Sequence, residues 1–299
     1  MRKHPVIFGF LLLAIIGVFC FMILRTFSPF EKKSAGFSFK EKIGIVTIEG
    51  VLRNSKDTIT QLNKYEKDGN IKAVVLRVNS PGGAVVPSQE IYDKILHLKK
   101  FKKVIVSMGS VAASGGYYIA CAADRIIANP GTITGSIGVI IQFSQIEDLL
   151  KKIGLKATVV KAGRYKDVGS PVREMTPDEK SIIQDVIDDI HNQFIEVVLS
   201  NRDIPKEKVE EIADARIFTG RQALKIGLVD DLGNMEYAID VASDLAGIEG
   251  KAEVVYPEKK RKSLLRYIAS ETLSAVSEEF KGDDAGISYL YRSPHGMRY

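Results

Sequence analysis

From residue 42 onward two kinds of segment alternate, and that alternation limits the folds open to this chain. Residues 43–48 (IGIVTI), 73–78 (AVVLRV) and 104–107 are short runs rich in β-branched side chains and read as strands. Residues 125–128, 138–142 and 157–160 are further strand candidates. Stretches with helical spacing lie between them. Residues 85–98 carry Ile91, Ile95 and Leu98 on one face, 112–122 are crowded with small residues, and 146–153 read as a short helix. A long helix is predicted over 177–199, its start marked by a capping box of Thr176 and Glu179. Two more helices flank a turn at Asp230-Asp231 within 213–247. Strands alternating with helices predict an α/β domain with largely parallel pairing. After Val255 the pattern degrades: 256–262 is basic and loop-like, 264–280 reads as a helix, and 282–299 as a loose tail.

Ahead of this domain, residues 6–24 (VIFGFLLLAIIGVFCFMIL) are uncharged throughout. As a helix the run spans about 28 Å at ~1.5 Å per residue, close to the ~30 Å hydrocarbon core of a bilayer. Arg2 and Lys3 precede it, which puts the N-terminus in the cytoplasm by the positive-inside rule; Arg25 and Lys32-Lys33 on the far side weaken the asymmetry. The competing reading is a cleaved signal peptide. Against it, the run is long, and Phe19, Phe21 and Met22 leave no small-residue cleavage pattern. The expected layout is a cytoplasmic stub and transmembrane anchor over 1–25, a polar linker over 26–41, a folded domain over 42–255 and a C-terminal helix and tail over 256–299. The folded domain is then on the extracytoplasmic side of a cytoplasmic membrane.

Composition closes several routes. With 45% hydrophobic and 26% charged residues the chain has the profile of a folded protein. The net charge of +5 is spread along the chain with no aromatic-studded basic block, so there is no case for nucleic acid. Two cysteines, Cys20 and Cys121, exclude a disulfide scaffold and a Cys-rich zinc site. His4, His97, His191 and His295 are too scattered to make a metal centre easy to build.

Chemistry is concentrated in glycine- and serine-rich clusters that follow predicted strands. The first is NSPGG at 79–83, where glycines free the backbone to present N–H groups at close range. Taken alone it reads first as a strand-to-helix turn. The second is GSVAASGG at 109–116, where Ser114 opens a helix, a position that favours developing negative charge. Its bland reading is an N-cap serine on a tightly packed helix. Ala112 stands where a G-x-S-x-G elbow has its first glycine, and no Gly-Lys-Ser/Thr follows, so neither the α/β-hydrolase elbow nor a phosphate-binding loop is matched. The third is TITGSIGV at 132–139 and the fourth AGRYKD at 162–167. A nucleophilic Ser114 needs a base, and the histidines are poorly placed. A lysine can serve if it is held neutral, which requires burial to pull down a value that starts near ~10.4. Composition alone does not select that lysine.

In this order, the clusters resemble serine protease family S49, the signal peptide peptidase A family. The residues that carry the resemblance are NSPGG at 79–83, GSVAASGGYYIA at 109–120, ANPGTITGSIGV at 128–139 and AGRYKDVGSPVR at 162–173. FTGRQALKIGLVDDLG at 218–233 is a segment of which Clp proteases and crotonases have a related version. The resemblance spans about 42–249 and implies a ClpP/crotonase-like superhelix of repeated ββα units behind one N-terminal transmembrane helix. It implies that Ser114 is the nucleophile, Lys166 the general base, and Ser136 the residue that orients the lysine amine. It also implies an oxyanion hole made by the backbone N–H of Gly83 with that of Ser114. Such a Ser–Lys pair is a variant of triad logic. No metal, nucleotide or other cofactor is implied. The implied substrates are signal peptides left in the membrane after preprotein processing. The implied assembly is a homo-oligomeric ring in which Ser114 and Lys166 come from different protomers.

Three other readings compete. A crotonase-type acyl-CoA enzyme shares the fold and would use Gly83 and the backbone near Gly115 to hold a thioester oxyanion, but it leaves Lys166 and the anchor unexplained. A membrane-tethered scaffold makes the serine and lysine dispensable. A related Ser–Lys protease that cuts one particular membrane protein, such as a stomatin-like partner, differs only in the shape of its groove. One further expectation concerns the tail: ISYLY at 287–291 is apolar and extended-looking, and fits the peptide groove of its own or a neighbouring subunit as a segment to be trimmed. Simple disorder or subunit docking are the alternatives for it.

Overall fold

The structure is a computed structural model that describes residues 15–19, 41–257 and 287–291. The chain divides into two compact units, Met1–Phe39 and Lys40–Tyr299. In the first, residues 15–19 are helical; the rest of the 6–24 run and the 26–40 stalk lie outside the described residues, as does the 264–280 helix. Among the described residues no helix is long and apolar enough to cross a membrane.

The second unit is built on a sheet whose strands are almost all parallel. Strands β1 (Lys42–Glu49), β2 (Ile71–Ser80) and β4 (Lys103–Ala113) lie side by side. β9 (Glu253–Val255) adds to the outer edge of β1. β4 then forks. Its Ile105–Ser107 stretch pairs with β5 (Arg125–Ala128), which pairs with β8 (Asp231–Leu232). Its Val111–Ala113 stretch pairs with β6 (Ile133–Gly135), which is closed by the antiparallel β7 (Ile217–Thr219). A separate two-stranded ribbon joins β3 (Gly82–Ala84) to β10 (Ser288–Leu290).

Strand alternation divides the core. The alternate residues Val46, Ile48, Val74, Leu76, Val104 and Val106 face one side. There they are covered by α1 (Lys56–Lys67), α2 (Val85–Leu98), α3 (Gly115–Ala120) and α5 (Pro177–Asn201). Two short helices, α6 (Lys206–Ile212) and α7 (Gly220–Lys225), flank β7 in the chain. Ile43 and Ile45 of β1, Ala73 and Val75 of β2, Ile105 and Ile127 face the other side and pack on Ala238 and Ala242 of helix α8 (Met235–Ala246). Alanines four apart on that helix form a flat strip that lets it approach the sheet closely. Both faces are buried, as parallel sheets require.

Tyr65 ties the sheet edge together. Its ring lies over Gly44, where an added Cβ would come within 2.6 Å of it. Its hydroxyl donates to the carbonyls of Ile45 and Val255, bridging β1 and β9. Tyr65→Phe keeps the packing and removes both bonds, so a loss of about 1–2 kcal/mol is expected. Urea unfolding checks this; an unchanged midpoint contradicts it.

Two expectations fail in one region. Residues 157–160 form no strand, and the 138–142 candidate shrinks to a single bridge between Ile140 and Ser288. The helix expected from Ala112 begins at Gly115, because Val111–Ala113 are drawn into pairing with β6. Between residues 138 and 178 no side chain is buried, and α4 (Glu147–Lys152) within it has no buried residue. Leu149, Ile153, Leu155 and Val159 are more than half or about half exposed there, and Val160 is 96% exposed. A strand forms only where a neighbouring strand takes its backbone bonds, and among the described residues none pairs with 157–160.

Candidate active site

Ser114 sits where β4 turns into α3, with φ 52° and ψ −117°. A residue with a Cβ rarely adopts these angles, and strain of this kind costs about 1–3 kcal/mol. The turn is held from both sides. The Ser114 N–H donates to the Gly135 carbonyl at 2.8 Å, and the Ser114 carbonyl accepts from the Tyr118 N–H at 2.8 Å. One residue upstream of the β4 end, Thr134 Oγ1 donates to the Ala112 carbonyl at 2.7 Å. The sequence lacks a hydrolase elbow, yet the geometry is that of a serine on a sharp, strained strand-to-helix turn.

Two backbone segments meet at this turn. Gly115 has no room for a side chain: a Cβ would lie 2.7 Å from Ser88 Oγ and 3.2 Å from the Gly83 nitrogen. Gly83 is equally crowded: a Cβ there would lie 2.2 Å from the Leu52 carbonyl oxygen. Leu52 occupies one edge of β3, accepting from the Ala84 N–H and donating to the Gly82 carbonyl, both at 2.8 Å. The Gly83 N–H therefore faces the opposite edge. As the first residue of α3, Gly115 has no intrahelical acceptor for its own N–H. The Ser114 N–H, the expected second donor, is engaged by the Gly135 carbonyl, and the N–H groups that lie beside the serine are those of Gly83 and Gly115.

Ser136 is also near. It follows Gly135, the acceptor for Ser114, has φ 53°, and donates its N–H to the Arg216 carbonyl at 2.9 Å. Ser114, Gly83 and Ser136 are therefore gathered at one end of β4, and both serines are buried. Lys166 is not joined to them. It is exposed on the 138–178 excursion and its side chain forms no hydrogen bond or ion pair among the described residues.

The ISYLY segment lies across this site. β10 runs antiparallel to β3, with Tyr289 opposite Gly83 and the Tyr291 N–H donating to the Pro81 carbonyl at 2.7 Å. Ile140 and Ser288 exchange a pair of N–H···O bonds of 3.1 Å on its other side. Antiparallel ladders alternate hydrogen-bonded and non-bonded pairs, so Tyr289 is the residue whose carbonyl faces the Gly83 N–H. The Tyr289 side chain is fully buried in an aromatic pocket. It stacks on Tyr118 at 5.2 Å, meets Phe194 at 4.9 Å, and donates its hydroxyl to the Ile190 carbonyl at 3.2 Å. Burial pushes the Tyr118 phenol up to about 12. Sequence reasoning names the backbone near Gly115 only as a holder of a thioester oxyanion and does not mark Tyr118 or Phe194; apolar aromatics at helical spacing read as ordinary core.

A family model described as Peptidase family S49 matches residues 97–249. The chain belongs to peptidase family S49. It is 45% identical over 213 residues to slr0021 of Synechocystis sp., a protein named for protease activity, a match that spans 71% of this chain and 77% of the relative. It is 33% identical to the chloroplastic serine protease SPPA of Arabidopsis thaliana, over 77% of this chain and 34% of that longer one. A Clp protease family model matches residues 37–134. A mutant of ClpP1 from Listeria monocytogenes is a structural neighbour with TM-score 0.46 and 20% identity, covering 65% of this chain and 93% of that one. This S49 member is a serine protease on an α/β fold, and its residues 37–134 are similar to Clp proteases.

Proposed function

We propose that this S49 protease is a membrane-anchored endopeptidase that degrades signal peptides left in the membrane, using Ser114 and Lys166. The observation that carries the catalytic assignment is Ser114 held at a strained turn beside the N–H groups of Gly83 and Gly115. In this reading Ser114 Oγ attacks the peptide carbonyl and passes its proton to the Lys166 amine. The two N–H groups hold the oxyanion of the tetrahedral intermediate. The C–N bond then breaks as the lysine returns the proton to the leaving amine. Water, deprotonated by the same lysine, hydrolyses the acyl-enzyme. Ser136 steadies the amine.

Lys166 reaches Ser114 from a neighbouring copy. The support is its lack of a partner among the described residues and the unburied apolar excursion that carries it, a surface of the kind that copies of a chain cover. A homo-oligomeric ring closes such contacts without loose ends. The uncharged run at 6–24 behind Arg2 and Lys3 supports an anchor in the bacterial cytoplasmic membrane, N-terminus inside. An anchored enzyme and a membrane-bound peptide share one surface, which raises their encounter.

The test is cleavage of an apolar signal peptide by the detergent-solubilised full chain. Ser114→Ala and Lys166→Ala are each expected to lose about 10³-fold or more. Co-assembled one to one, they should recover roughly a quarter of the wild-type rate, the share of sites with an intact donor on both sides of a head-to-tail contact. Single mutants that cut as well as the wild type refute the assignment. Activity is also expected to rise from neutral into alkaline pH; a flat profile between about pH 5 and 10 contradicts a lysine base.

A further inference from the structure

The segment that carries Lys166 has no regular secondary structure between α4 and α5, yet one point in it gathers most of its side-chain bonds. That point is Arg173. Its Nε and Nη2 both donate to the Asp167 carboxylate at 2.8 Å, and Nη2 also contacts the Asp167 carbonyl at 3.2 Å. On the other side Nη1 donates to Glu179 Oε2 at 2.8 Å and Nη2 to Glu179 Oε1 at 2.5 Å. The last Nη1 hydrogen goes to the Glu174 carbonyl at 3.0 Å. All the donors of the guanidinium are used, in a two-sided fork that only arginine can make.

The two carboxylates have different settings. Glu179 is 3% exposed and completes the capping box at the start of α5, accepting the Thr176 N–H at 2.9 Å. It is a fixed post. Asp167 is the residue next to Lys166 and also accepts from Lys161. It contributes nothing to the helix. The fork on its side therefore serves the loop. Arg173 first, and then the Thr176 N–H, holds Glu179 down at about 2. Arg173 and Lys161 hold Asp167 well below its ordinary value. Both lowered carboxylates stay ionised throughout the neutral and alkaline range, so the clamp stands wherever a lysine base works.

Within residues 161–173 the cations divide sharply. Lys161 pairs with Asp167, Arg164 with Asp178, and Arg173 with Asp167 and Glu179. Lys166 alone is left free among the described residues. The neighbouring charges are spent on holding the backbone, and the one amine is offered outward.

We infer that Arg173 is a positioning residue for catalysis: by clamping Asp167 to Glu179 it fixes the backbone from which Lys166 is presented to Ser114. The inference rests on the reading of Lys166 as the general base. Misplacing a catalytic group by about 1 Å costs on the order of 10²-fold, which sets the expected effect.

The experiment uses the full chain in detergent and one apolar peptide. Arg173→Gln should lower kcat by about 30- to 100-fold with KM within about twofold, since substrate contacts are untouched. Arg173→Lys keeps the charge without the fork and should still lose about tenfold. In both, the rise of the pH–rate profile should move to more alkaline pH, because a loosely held amine is better hydrated; a fold defect lowers the rate without moving it. Co-assembly with Ser114→Ala should restore Arg173→Gln to the same degree as it restores Lys166→Ala, since both lesions lie on the lysine side. Unchanged kcat, a loss confined to KM, or a pH–rate rise that stays in place overturns the inference. So does failure of Arg173→Gln to recover where Lys166→Ala recovers. If Lys166→Ala itself keeps its activity, the base assignment fails first, and the inference falls with it. Should neither mixture recover while each variant is impaired, the dyad lies within one subunit, and the kcat and pH readouts decide on Arg173. If Arg173→Gln does not accumulate as folded protein, Arg173→Lys gives the same readouts.

Discussion

Ser114→Gly is expected to yield a protein that cleaves nothing and is more stable than the wild type. The activity loss follows from removing the nucleophile, about 10³-fold or more. The stability gain follows from the backbone. At φ 52° and ψ −117° the Ser114 Cβ is the source of strain, and glycine reaches these angles freely. Relief of about 1–3 kcal/mol is offset by the ~0.5–1 kcal/mol that glycine adds to the entropy of the unfolded chain. A net gain of about 1 kcal/mol remains. The serine hydroxyl forms no hydrogen bond among the described residues, so nothing else is lost. Ser114→Ala is the control: it keeps the Cβ and the strain, loses the activity and gains no stability. Urea unfolding of the three proteins beside a peptide assay separates these outcomes. If glycine and alanine have the same midpoint, the turn stores no strain.

Much of this site is legible in the sequence because the residues that build it are constrained locally. The β2 and β4 strands are β-branched runs, and the clusters after them need glycine for contact reasons that hold whatever the rest of the fold does. The α5 start is readable to the residue, since the Thr176–Glu179 capping box forms as expected. What the sequence hides depends on partners distant along the chain. α1 has only Leu62 and Tyr65 buried, too few apolar residues for a periodic signal. The strand expected at 157–160 follows from apolar β-branched composition, but backbone pairing needs a neighbour, and none lies there among the described residues. That the Ser114 N–H, expected as an oxyanion donor, is bonded elsewhere is hidden for a related reason. Which of two adjacent N–H groups is free depends on Gly135, a residue of another strand. Arg173 reads in the sequence as one residue of a motif, but its role depends on two carboxylates that only the folded loop brings to it.

Removing the chain from Ile287 onward is expected to lower the apparent KM for a peptide substrate by about tenfold or more, with kcat unchanged, because a tethered segment competes at an effective concentration near the millimolar range. The tail already makes the contacts a substrate strand would make: the ladder to β3, the paired bonds to Ile140, and a buried aromatic side chain between Tyr118 and Phe194. An arriving peptide must displace all of them. Tyr289→Ala should reproduce most of the effect, since a buried aromatic ring dominates such contacts. The register also names a bond. With the Tyr289 carbonyl facing the Gly83 N–H, the proposed attack by Ser114 is expected to fall on the Tyr289–Leu290 peptide. Wild-type protein incubated with its assembled sites should lose the residues after Tyr289 by intact mass, and Ser114→Ala should keep them. An equal KM with and without the tail means that the segment does not hold the groove. A KM lowered by truncation, combined with an intact terminus in the full chain, means that the segment holds the groove without being cut, so the tail acts as an inhibitor and not as a substrate.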